Sequence, residues 1–304
     1  MDERTLLKEI EPVAADLLNR HLGVAKEWFP HEMVPYSRGK DFEPGKQWTQ
    51  NDSDFGADEI EMSDAVRGSL FVNLLTEDNL PYYFRDINSL FGNDGVYGEW
   101  GRNWTAEEGR HSIVIRDYLT VTRAIDPIAL ERGRMQQVRG GEVPAPLDLY
   151  EALAYLSMQE LATRIAHRNT GKMMHDEVGE AIMARVGNDE NLHYLFYRDL
   201  TTAAIAVDPS NMIIGIERAV RTFAMPGTGI PDFERLSREI ARVGIYDLLI
   251  HHDQILQPVV MRHWKLEQLT GLTDEAEKAR DALFKRIERI GKVGAKMASD
   301  RINA

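Results

Sequence analysis

The chain has no cysteine in its 304 residues. That excludes disulfides and thiolate metal sites, and leaves carboxylates and imidazoles as the side chains able to hold a metal. Basic residues are in short supply, with 36 Lys and Arg against 49 Asp and Glu and a formal net charge of −13. Such a surface repels phosphate backbones and argues against a nucleic-acid partner. No uncharged run approaches the roughly 20 residues that span a bilayer. The opening, MDERTLLKEIEPVAADLL, lacks the basic, apolar and small-residue order of a secretory leader, so a cytoplasmic protein without a membrane span is expected. Alternating β-branched stretches are scarce as well, and no sheet is expected.

Present instead are apolar residues at three- and four-residue steps, the period of an α-helix. At 43% hydrophobic content the chain can bury a sizeable core, and the fold class expected is all-α. Helices are expected at approximately 5–27, 57–92, 101–123, 127–137, 147–170, 175–206, 209–223, 232–242, 244–268 and 273–300, within the few residues that such boundaries allow. Asp126-Pro127 and Asp208-Pro209 read as N-caps followed by first-turn prolines. FPHEMVPYSRGKDFEPG is an irregular crossing segment, and 139–146 and 224–231 are loops. Nothing resembling a repeat or an inter-domain linker interrupts the chain, so residues 1–304 are read as one domain.

Two motifs carry chemistry. WTAEEGRH places Glu108 three residues before His111, and DENLH places Glu190 three residues before His193. On a helix that spacing turns two side chains about 60° apart and about 4.5 Å along the axis, so both can grip one metal. One such pair is unremarkable in a chain of this composition. A carboxylate-bridged dinuclear site also needs a Glu from each of two further helices. Glu77 in FVNLLTEDNLPYY and Glu160 in YLSMQELATRIAHRNTGK supply them, in the order Glu77, Glu108-x-x-His111, Glu160, Glu190-x-x-His193. Four buried carboxylates are prohibitively costly unless cations neutralise them. Pro81 lacks an N–H to bond the carbonyl of Glu77, and a kink or bulge is expected there.

From about residue 15 to about 290 the blocks WFPHEMVP, TEDNLP, WTAEEGRH, QELATRIAHRNT, DENLH and KLEQLTGLT resemble the soluble acyl-acyl carrier protein desaturases of the plant plastid stearoyl type and their actinobacterial relatives. The resemblance implies a ferritin-like four-helix bundle with flanking helices, a homodimer, and two irons held by Glu77, Glu108, His111, Glu160, Glu190 and His193, with Glu108 and Glu190 as bridges. It implies an electron-transfer chain of Trp28, Asp189 and His111, and a threonine, Thr163, on the oxygen-binding side. Leu192 and Gly109 depart from the plant pattern, which has Arg and Asn there. The implied reaction inserts a cis double bond into a saturated chain on acyl carrier protein, in fatty acid biosynthesis. Oxygen is consumed and a ferredoxin-type donor supplies the electrons.

The carrier protein is acidic, so it needs a basic patch; Arg132, Arg134 and Arg139, or the cations of the last helix from Lys278 to Lys296, are the alternatives. Met158, Ile113 and Leu195 either line a substrate tunnel or belong to the core, with core favoured. A catalytically inactive desaturase-like paralogue, a hydroxylase and ferritin-like iron storage remain as rivals. The ribonucleotide reductase radical subunit is disfavoured, because Glu77 and Ile115 stand where it usually has Asp and Tyr. Membrane desaturases are excluded, since His251-His252 is the only adjacent His pair.

Overall fold

A computed structural model describes residues 1–49, 62–141, 143, 145–227, 229–230 and 232–302. Within them every regular element is a helix: α1 (Glu3–Val24), α2 (Pro30–Met33), α3 (Asp64–Glu77), α4 (Leu80–Phe91), α5 (Gly95–Val121), α6 (Pro127–Gly140), α7 (Leu149–Lys172), α8 (Glu177–Val207), α9 (Pro209–Thr222), α10 (Phe233–Arg242), α11 (Leu248–His251) and α12 (Asp274–Ile302). None of these is long and apolar enough to cross a membrane. The start of the helix expected at 57–92, and parts of the loops at 139–146 and 224–231, lie outside the described residues.

The helix starts are chemically marked. The carboxylates of Asp148, Asp176 and Asp208 accept the backbone N–H groups of Glu151, Gly179 and Asn211, each satisfying a donor that the first turn leaves unpaired. Asp126 caps α6 in the same way with Pro127 behind it, as the Asp-Pro pairs predict.

Two expected helices differ. The one over 57–92 is broken, α3 ending at Glu77 and α4 beginning at Leu80. Pro81 sits in the first turn of α4, where its missing N–H costs nothing, so the chain restarts a helix instead of kinking one. The segment 244–268 is a single α-turn, α11, followed by a π-helix over His252–His263 and a 3-10 turn over Leu266–Gln268. Pro258 lies inside that π-helix; it cannot donate to an i−4 carbonyl, and the wider winding accommodates it. The crossing segment after Trp28 holds only α2 and a 3-10 turn at Tyr36–Arg38.

The short connection between α7 and α8 forces them antiparallel, and they form the most extensive helix pair in the molecule. With α3 and α5 they make a four-helix core, covered by α1 on α5 and α8 and by α9 on α7. Two apolar clusters fill it, one including Trp100, Phe196 and Leu200, the other Ile115, Leu119 and Ile182. Along both α5 and α8 the polar motifs fall where one cluster gives way to the other, so the fold buries them at mid-height. That placement holds Glu108, His111, Glu190 and His193 out of water.

His251, buried at the end of α11 against Phe223 and hydrogen-bonded to the Tyr246 hydroxyl at 2.9 Å, illustrates the cost of charging such a core. Burial, with His252 adding repulsion, lowers its pKa from 6.5 to about 4. A depressed imidazole stabilises the fold above pH 6.5 and loses that contribution as pH falls towards 4, roughly 3 kcal/mol in all and about 2 kcal/mol of it by pH 5. Urea unfolding at pH 7.5 and pH 5 should therefore reveal a pH-dependent loss that His251→Gln reduces by about that amount. Equal losses in both proteins would refute it.

Candidate metal centre

The four core helices each deliver a carboxylate to one buried spot. Ligand-capable atoms of Glu77, Glu108, His111 and Glu190 lie within 4.8 Å of one another, and so do those of Glu108, Glu160, Glu190 and His193. All six side chains are buried. The two quartets share Glu108 and Glu190, so two ions side by side would be bridged by those two carboxylates and closed at either end by Glu77 with His111 and by Glu160 with His193. Four carboxylates balance two dications, and imidazoles complete the set. The residues fit a dinuclear centre.

The histidines point their Nδ1 atoms inward. His111 Nδ1 lies 3.1 Å from Glu108 Oε2, 3.5 Å from Glu190 Oε1 and 3.6 Å from Glu77 Oε2. His193 Nδ1 lies 2.9 Å from Glu108 Oε1 and 3.7 Å from Glu160 Oε2, yet it completes no hydrogen bond. A fully buried nitrogen aimed between carboxylates without a hydrogen bond is what a metal ligand looks like before its metal.

Protonation tells the same story. Burial pushes the carboxyls of Glu77 and Glu160 above the usual range, and neighbouring carboxylates add to the rise. Burial acts the same way on Glu108 and Glu190, but His111, with His193 at Glu108 and His167 at Glu190, outweighs it and holds both below that range. Desolvation disfavours charge on His111 and His193, and the carboxylates overcome it and raise both. A metal bound there would compete with protons for these side chains.

Behind His111, Asp189 Oδ2 accepts from Trp28 Nε1 at 2.7 Å and lies 3.5 Å from His111 Nε2. The three residues expected in a chain are therefore adjacent. Trp28 is buried, with the guanidinium groups of Arg110 and Arg185 5.0 and 5.7 Å from its ring centroid. Thr163 sits one turn beyond Glu160; its hydroxyl donates to the Gln159 carbonyl at 3.0 Å and accepts from the Gln159 amide at 2.9 Å.

Several neighbours were not expected. Trp104 Nε1 donates to Glu160 Oε1 at 3.2 Å. Glu107 Oε2 accepts from His193 Nε2 at 2.9 Å. His167 Nε2 lies 3.1 Å from Glu77 Oε1; desolvation opposes its charge, but Glu190 and Glu77 raise its pKa to about 9. His167 follows Glu160 by seven residues, which places it on the same helix face two turns on, a signal available in QELATRIAH.

A narrow cavity of about 60 Å³ opens beside the cluster, reached by Glu77, Glu108, Glu160 and Glu190 and walled by Thr163, Trp104, Tyr155, Leu156, Ala152, Ile87 and Leu90. Met158, Ile113 and Leu195 do not line it. Each stands two positions from a ligand, about 200° round its helix, and so faces away. Met158 is core, Leu195 is half-buried beside the core, and Ile113 is exposed. Of the proposed basic patches, Arg134 is held by Asp78 and Glu131, Arg280 by Glu277 and Lys292 by Glu288.

Comparison with known proteins supplies the family. The profile of the fatty acid desaturase family matches residues 2–304. DesA1 of Mycobacterium tuberculosis, assigned by name to the acyl-[acyl-carrier-protein] desaturases, is 41% identical over 91% of this chain and 83% of its own length. The chloroplastic stearoyl-[acyl-carrier-protein] 9-desaturase of Simmondsia chinensis is 29% identical over 97% of this chain and 77% of its own. The X-ray structure of DesA2 from M. tuberculosis superposes with a TM-score of 0.69 over 90% of this chain and 99% of that one, at 22% identity, a likeness of fold. Six converging side chains on four helices, a cavity beside them and relatives matched along nearly the whole sequence lead to one assignment: the chain belongs to the fatty acid desaturase family, an enzyme family, alongside relatives named acyl-[acyl-carrier-protein] desaturases.

Proposed function

We propose that this protein is a diiron desaturase that converts a saturated acyl chain on acyl carrier protein to its cis-unsaturated product. The observation that carries the reading is the pair of quartets sharing Glu108 and Glu190 at the wall of a narrow, largely apolar cavity. The reaction balances as one CH₂–CH₂ unit, one dioxygen, two electrons and two protons giving CH=CH and two waters. When bound, the iron pair supplies the reductive activation of dioxygen.

The chain's own residues do the rest. Methylenes offer no polar handle, so Ala152, Leu156, Ile87 and Leu90 select and align the chain by shape. Their apolar wall keeps bulk water from the cluster. Asp189 and Glu107 fix the proton of each ligand imidazole on Nε2 and leave Nδ1 for metal. Trp28, stacked 6.4 Å from His111 and bonded to Asp189, offers the electron path, and Thr163 faces the oxygen side. A ferredoxin-type donor, an acyl carrier protein, a homodimer in the cytoplasm and a ferritin-like bundle complete the reading.

The test is turnover of stearoyl- and palmitoyl-carrier protein by the iron-loaded chain with reduced ferredoxin and oxygen, followed by mass spectrometry of the released acyl group. A product lighter by two hydrogens is expected. A product heavier by one oxygen would make the protein a hydroxylase, and unchanged substrate with every acyl length would refute the reading.

A further inference from the structure

His21 belongs to α1, a helix that contributes nothing to the carboxylate cluster, yet its ring stands one residue behind it. Its Nε2 lies 3.1 and 3.0 Å from Glu107 Oε1 and Oε2, and the same Oε2 lies 2.9 Å from His193 Nε2. An ionised carboxylate has no proton to give, so both imidazoles donate to it. With Nε2 turned to Glu107, the His193 Nδ1 faces Glu108 and Glu160.

The two ends of the centre differ in what backs them. Asp189, behind His111, is bonded by Trp28 and approached by Arg110 and Arg185. The Glu107 carboxylate, among the described residues, is partnered by His193 and His21 and by no arginine. His21 is itself 3% exposed. Its ring meets Trp100 edge-on at 5.0 Å and lies parallel to His193 at 5.9 Å. Besides its ligand histidine, the carboxylate behind His111 is held by Trp28, Arg110 and Arg185, whereas among the described residues the carboxylate behind His193 is held by His21.

We propose that His21 is a positioning residue for the metal position served by His193: through Glu107 it sets the tautomer and tilt of that ligand. The proposal rests on the diiron reading above. Outer partners of a ligand imidazole typically change metal affinity 10- to 100-fold when removed, and here the change falls on one position of two.

The experiment is anaerobic titration of the full chain with ferrous iron, followed by equilibrium dialysis and near-infrared circular dichroism of the ferrous sites. His21→Phe should weaken one position by about 10- to 100-fold and alter one set of ligand-field bands while the other stays. His21→Gln, whose amide N–H can reach Glu107, should restore both. Glu107→Gln, which keeps α1 intact, should reproduce the one-position loss. Binding and spectra of His21→Phe and Glu107→Gln indistinguishable from wild type would overturn the proposal while leaving the diiron centre standing. Equal loss at both positions would overturn it too, by making His21 a general scaffold residue. No ferrous binding by the wild-type chain would overturn the metal reading itself and this proposal with it.

Discussion

Glu108→Ala is expected to leave the protein unable to hold either iron, whereas Glu77→Ala should cost one position and spare the other. The distinction follows from the geometry. Glu108 and Glu190 belong to both quartets, while Glu77 belongs to one and Glu160 to the other. Removing a bridge withdraws a carboxylate from both cations at once, and each is left with like charges it no longer screens well. Removing a terminal ligand leaves the opposite quartet complete. Iron per chain after anaerobic loading and desalting should fall from two to near zero for Glu108→Ala and Glu190→Ala, and to about one for Glu77→Ala and Glu160→Ala. Equal retention by all four variants would mean that the shared carboxylates do not bridge.

The second large effect concerns shape. Ala152 is fully buried in α7 and forms part of the cavity wall between Leu156 and the loop residue Pro146. Ala152→Leu would place three further carbons in a space of about 60 Å³. A hydrophobic site discriminates by about 1–3 kcal/mol per methylene, or 10- to 200-fold. Ala152→Leu is therefore expected to lower kcat/KM for stearoyl-carrier protein by about 100-fold while a chain several carbons shorter retains most of its rate. Iron content should be unchanged, because Ala152 lies two turns from Glu160. An equal drop for every chain length would indicate general overpacking of α7 instead of a chain-length wall.

What could be read in the sequence was local. The helical period, the Asp caps and the Glu-x-x-His spacing each act within one turn, so the all-helical fold and the convergence of Glu77, Glu108, His111, Glu160, Glu190 and His193 were legible. So was the trouble at Pro81, although its outcome was not: whether a proline kinks a helix or restarts one depends on what packs beyond it. The π-winding around Pro258 was hidden for the same reason. Of the bracing network, Trp28 and Asp189 were expected from the family resemblance, whereas the contacts of Glu107 and His167 escaped because their partners are distant in the chain. His21 meets Glu107 across 86 residues and His167 meets Glu77 across 90, and no short window contains such pairs. The preference for core over tunnel at Met158 and Leu195 had a local basis, since a position two from a ligand faces away from it on any helix; Ile113 obeys the same geometry but points to solvent.

The most direct test of the account is a crystal of the chain soaked with ferrous iron without oxygen and measured on both sides of the iron absorption edge. Two anomalous peaks are expected inside the four-helix core, one enclosed by Glu77, Glu108, His111 and Glu190 and the other by Glu108, Glu160, Glu190 and His193. One peak, or peaks confined to surface carboxylates with the core set still bonded to itself, would contradict it.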